Sequence, residues 1–133
     1  MDHIFNAITS AQLLTLLFLA ILFIQSGLDK VINYKGNYEY FKSHFAKSIL
    51  KNTVGLLLPV ITILEVAAGI FTTIGIFQII INGDTSLGLI GAQLSALSIV
   101  ALFFGQRLAN EYEGSSTLVG YFLVTIACVF LLG

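Results

Sequence analysis

Charge is scarce in this chain. Only 10% of its 133 residues are Asp, Glu, Lys or Arg, 57% are hydrophobic, and the mean hydropathy is +0.97. A soluble domain carries about 25% charged residues, so the composition excludes an ordinary water-facing globule. Proline and cysteine are as sparse, with one of each, Pro59 and Cys128. A single cysteine rules out an internal disulfide, a C-x-x-C redox pair and a cysteine zinc site. The two histidines, His3 and His44, fall near opposite ends of the apolar runs and cannot jointly ligate a haem, and a lone cysteine cannot hold an iron–sulfur cluster. No metal or phosphate motif, nucleophilic triad or nucleic-acid-binding surface is visible in the sequence.

What the chain does have is apolar length. Four runs, at about 9–28, 54–81, 86–105 and 116–132, each approach the 17–25 residues of a membrane helix. The expected architecture is an all-α polytopic membrane protein, a single domain over residues 1–133 built as a four-transmembrane-helix bundle. Its helices are expected at about 9–34, 54–81, 86–106 and 115–132, with an amphipathic interfacial segment at about 36–51 between the first two. In that segment Tyr38, Phe41, Phe45 and Ile49 fall at helical spacing, interleaved with Lys42, Lys47 and Lys51. The alternative is a solvated connector whose aromatics cover the bundle mouth. Met1-Asp2-His3 lacks the basic start of a signal peptide, so the first run is expected to remain as an uncleaved helix.

The second run, Leu56 to Ile81, is interrupted by one proline, Pro59, and one ionisable residue, Glu65. At 1.5 Å per residue Glu65 lies roughly 14 to 18 Å from one end of the run, near the middle of a hydrocarbon core about 30 Å thick. A central acidic residue costs roughly 2.5 to 3.5 kcal/mol there, so Glu65 should face the protein interior, find a hydrogen-bond partner or stay protonated. Candidate partners lie at the end of the first run. Gln25, Asp29 and Asn33 recur every fourth residue and stack on one helical face, with Ser26 and Lys30 beside them. Gln25 matches Glu65 in depth, and Lys30 matches it in charge. Pro59 frees a carbonyl four residues earlier, and the spacings Gly69 to Thr73 and Ala68 to Thr72 permit close helix approach. In the third run Gly88, Ala92 and Ala96 share one face and Gly91, Ser95 and Ser98 another. In the last run Thr117, Tyr121, Thr125 and Cys128 share a face expected to point inward, with Cys128 a small core residue. All six basic residues, Lys30, Lys35, Lys42, Lys47, Lys51 and Arg107, lie in or beside the two connections on one side of the membrane. The positive-inside rule puts that side in the cytoplasm and both termini outside.

The order Ile21-Leu22-Phe23-Ile24-Gln25-Ser26-Gly27-Leu28-Asp29-Lys30, then Leu58-Pro59, then Leu64-Glu65 and Gly69, resembles the DoxX family of small bacterial membrane proteins. The likeness extends to the segment Gln106 to Leu132, where Asn110-Glu111-Tyr112-Glu113 leads into a closing helix. The resemblance implies that Gly27, Lys30, Pro59, Glu65 and Gly69 are family positions, with Gln25, Asp29 and Tyr34 as further polar candidates. It also implies a bacterial inner membrane and an accessory role in quinone-linked oxidation, with a quinone as the ligand. This chain departs from the family in two ways. The last run begins Ser115-Ser116-Thr117 where members often carry a basic or histidine feature, and the lysines follow the first run rather than lying at the termini. Two other functions compete with the accessory redox role. One is a non-catalytic assembly or scaffold partner of a larger membrane protein, or a homo-oligomer, and the other is a small-solute or proton-coupled transporter with Glu65 as the coupling group.

Overall fold

A computed structural model describes residues 6–45, 54–108 and 112–133. Within them the chain forms five helices and no strand: α1 Ala7–Ile32, α2 Tyr34–His44, α3 Val54–Asn82, α4 Ser86–Leu108 and α5 Tyr112–Leu132. Three of them, α1, α3 and α4, are long and apolar enough to cross a membrane. The apolar part of α5 runs from Thr117 to Leu132 and is shorter than those three. His3, Asn110-Glu111 and the second half of the expected interfacial segment, with Lys47, Ile49 and Lys51, lie outside the described residues.

The helix ends follow local hydrogen-bond chemistry. Asn6 caps α1 by accepting from the Ile8 N–H at 2.9 Å. The first helix is expected to run through Tyr34, but it stops at Ile32. Asn33 leaves helical geometry at φ −110°, ψ 47°, and its N–H still closes on the Asp29 carbonyl. The chain turns there into α2. Asn37 holds the corner by donating its side-chain amide to the Asp29 carboxylate at 3.1 Å and the Asn33 carbonyl at 2.9 Å. At the other end of the bundle the turn between α3 and α4 places Gly83 at φ 75°, a conformation that glycine adopts without a Cβ penalty. Asp84 then accepts from both the N–H and the hydroxyl of Ser86, at 2.9 and 2.7 Å, tying down the start of α4. These bonds favour the ionised carboxylate and hold Asp84 below its ordinary value of 3.8.

The long helices form an antiparallel ring in which α3 packs against α1 and α4, and α5 closes against α4 and α1. Leu16, Leu19, Phe23, Ala68, Ile79, Ala92, Ile99 and Cys128 fill the middle. Between α3 and α4 the backbones nearly touch. A Cβ on Gly91 would lie 2.6 Å from the Thr72 nitrogen, and one on Gly75 would strike the Gly88 Cα. Buried hydroxyls are satisfied on their own helices. Thr62, Thr72 and Ser95 each donate to the carbonyl four residues back, at 2.7 Å in all three cases. In α5, Thr125 and Cys128 face inward and Tyr121 lies half-buried against Phe18, whereas Thr117 is exposed because Leu118 takes the inner position. The free carbonyls at the end of α5 are met by Gln12 on Leu131 at 2.6 Å and Thr85 on Leu132 at 3.1 Å.

Because the helices alternate in direction, Lys30, Lys35, Lys42 and Arg107 all sit at one end of the ring. There α2 lies beside α3, with Phe45 buried against Gly105 of α4.

Candidate functional site: a buried ion pair between α1 and α3

Glu65 lies on the inward face of α3 with no exposed surface. Its partners come from the last two turns of α1. Ser26 donates its hydroxyl to Glu65 Oε2 at 2.6 Å, Lys30 Nζ stands 3.0 Å from the same oxygen, and Lys30 also donates to the Ser26 hydroxyl at 3.0 Å. Ser26 and Lys30 are four residues apart, so one helical face delivers both. Lys30 is itself only 8% exposed. Two opposite charges taken out of water together cost less than either alone, provided the remaining hydrogen-bonding positions are met. On Glu65 they are not all met: Oε1 is buried and has no hydrogen-bond partner among the described residues. Lys30 carries three N–H donors and uses two on Ser26 and Glu65. The site therefore offers one spare donor and one spare acceptor.

Glycines bring the two helices close enough for this contact. A Cβ on Gly27 would sit 3.0 Å from a Val66 methyl, and one on Gly69 would sit 3.2 Å from the Ile24 nitrogen. One glycine from each helix thus flanks the ion pair. Pro59 stands in the interior of α3, six residues before Glu65, and does not join it. On the outer side of the same helix pair runs an apolar groove of about 410 Å³, lined by Phe23, Gly27, Leu28, Val66, Gly69 and Ile70 among others. Gly27 and Val66 are the chain neighbours of Ser26 and Glu65.

Of the candidates read from the sequence, Lys30 meets Glu65. Gln25 and Asp29 are exposed on other faces of α1, and Tyr34 is 38% exposed at the head of α2. The stripe of Gln25, Asp29 and Asn33 therefore faces away from the ion pair, and its lower part serves the α1–α2 corner through Asn37. Ser26 was visible in the sequence only as a neighbour of that stripe. Its signal is the four-residue step to Lys30, which puts it on the side of α1 that carries the lysine. The described residues contain no group of three His, Cys, Asp or Glu side chains placed to hold a metal ion.

A sequence model of the DoxX family matches residues 11–100. That span covers most of the chain and contains every residue of the ion pair and both flanking glycines. The chain belongs to the DoxX family. The match ends within α4, so the likeness over Gln106 to Leu132 falls outside it. No curated protein and no solved structure matches the chain. Gly27, Lys30, Glu65 and Gly69 thus converge on one contact between α1 and α3, and Pro59 lies about 9 Å along the helix from Glu65.

Proposed function

We propose that this DoxX protein is an integral accessory subunit of a bacterial inner-membrane redox complex, spanning the bilayer four times and holding a quinone beside the Lys30–Glu65 pair. In this reading α5 is the fourth span, and the end that carries Lys30, Lys35, Lys42 and Arg107 lies in the cytoplasm. The observation that carries it is the open hydrogen-bonding capacity of a buried ion pair. Among the described residues Glu65 Oε1 has no donor, and Lys30 keeps one N–H that neither Ser26 nor Glu65 uses. A quinone presents carbonyl acceptors and its reduced form presents hydroxyl donors, so a site with one spare donor and one spare acceptor suits both forms. The apolar groove between α1 and α3 supplies about 410 Å³ for an isoprenoid tail. Lys30 and Glu65 bind and orient, and electrons come from the partner complex. Gln25, Asp29 and Tyr34 stand outside this contact as outer polar positions.

Native mass spectrometry of the protein, gently extracted from its own membranes, tests the reading. The expected result is a retained quinone that disappears in Glu65→Gln and in Lys30→Met. A stoichiometric protein partner, no small ligand, and indifference to both changes would overturn it. That outcome would favour the scaffold reading, which one observation supports: the ion pair already joins α1 to α3 without any ligand.

A further inference from the structure

The outward face of α1 carries a second polar feature. Leu14, Phe18, Ile21, Gln25, Leu28 and Ile32 follow one another in alternating steps of four and three residues, the a/d spacing of a heptad repeat. All six are exposed, the apolar ones by 43% to 80%. Among the described residues, no hydrogen bond reaches the Gln25 side chain. Gln25 adjoins Ser26 at the level of the ion pair, about 10 Å from the Ile32 end of α1 at 1.5 Å per residue. It therefore lies within the hydrocarbon rather than at its edge. Of the three long apolar helices, the one that bears it is the least covered: 22% of its most apolar stretch is buried, against 33% for both α3 and α4.

An amide in lipid is costly unless another group bonds it, and no water is there to do so. A glutamine amide is self-complementary because it carries both a carbonyl and an NH₂. Two copies inserted in the same direction bring their α1 helices together in parallel and set both Gln25 amides at one depth. The exposed Gln93 of α4 does not fit this role for Gln25. It stands about 22 Å from the Leu108 end, on the side where Gln25 is only about 10 Å in, so the two cannot meet across copies. We propose that α1 is a parallel dimer interface between two copies of this chain, with Gln25 hydrogen-bonding to Gln25 across the two-fold axis and the apolar heptad positions packing around it.

Disulfide cross-linking of the full chain in its native membranes tests this in a Cys128→Ser background. Phe18→Cys, Ile21→Cys and Leu28→Cys should give a homodimer on oxidation. Ile24→Cys and Val31→Cys, on the neighbouring face, should not. In the chain with Cys128 intact, Gln25→Leu should weaken dimerisation about 3- to 30-fold, the range that interhelical amide bonds support. Native mass spectrometry reads that change without any introduced cysteine, and Gln93→Leu should leave the dimer fraction unchanged. Equal cross-linking on both faces, a product of any mass other than twice the chain, or loss of the dimer in Gln93→Leu but not Gln25→Leu would overturn the proposal.

Discussion

On one side α3 meets α1 across Ser26, Lys30 and Glu65, with glycines only at the flanks. On the other side it meets α4 through Gly75, Gly88, Gly91 and Thr72, where there is no room for side chains. The first contact is polar and directional, and it fixes which residues lie level with which. The second rests on dispersion between close backbones, which lipid does not weaken, because tails are as apolar as the helices they surround. A single helix in one bilayer thus uses two adhesives. The difference predicts opposite responses to substitution: the α1 side should fail when a partner is removed, and the α4 side when an atom is added.

The largest effect should come from removing one charge. Lys30→Met leaves Glu65 buried without its counter-ion and is expected to cost about 3–5 kcal/mol, measured by SDS titration from mixed micelles. Joining it with Glu65→Leu should restore most of the stability, since a matched apolar pair is often neutral. If the double variant is no better than the single one, the contact is not an ion pair in energetic terms. Ser26→Ala removes a hydrogen bond to a charged group and should cost about 1.5–3 kcal/mol in the same titration. On the α4 side Gly91→Ala forces a Cβ against the Thr72 nitrogen and is expected to cost about 1–3 kcal/mol. Equal tolerance of alanine at Gly91 and at the open position Gly120 would erase the contrast between the two faces.

The smallest effect belongs to the turn outside both contacts. Asp84 is held below its ordinary value of 3.8 by its bonds to Ser86, so its contribution is full above that value. It is lost as pH falls through the depressed folded-state value. The native chain and Asp84→Ala should therefore differ fully in stability above about pH 3.8 and converge as pH falls through the lower folded-state value, the difference being less than any change at the ion pair.

Much of this was legible in the residues. A lone carboxylate at mid-bilayer depth demands a partner, and Lys30 was the only opposite charge that could meet it inside the bundle. What the sequence left open was which side of α1 faces inward. A four-residue step shows that Gln25, Asp29 and Asn33 share a side, but not that the side is outward. The inner side is marked instead by Leu16, Leu19, Phe23, Gly27 and Lys30, where a small residue permits approach and a long apolar one fills the core. The break at Asn33 and its Asn37 brace were hidden because Asn33 continued a helical polar stripe. The unmet oxygen of Glu65 has no sequence signature at all, since it depends on where two donors from α1 happen to point.

The ion pair also bears on how the chain enters the bilayer. Lys30 stands two residues from the end of α1 and can wait among lipid headgroups, its stem lying along the helix. Glu65, near the middle of α3, has no such refuge. A first helix already in place, lysine at the ready, therefore lowers the cost of seating the third. Glu65→Leu should free α3 from that dependence, and nascent chains stalled during synthesis would show whether it does.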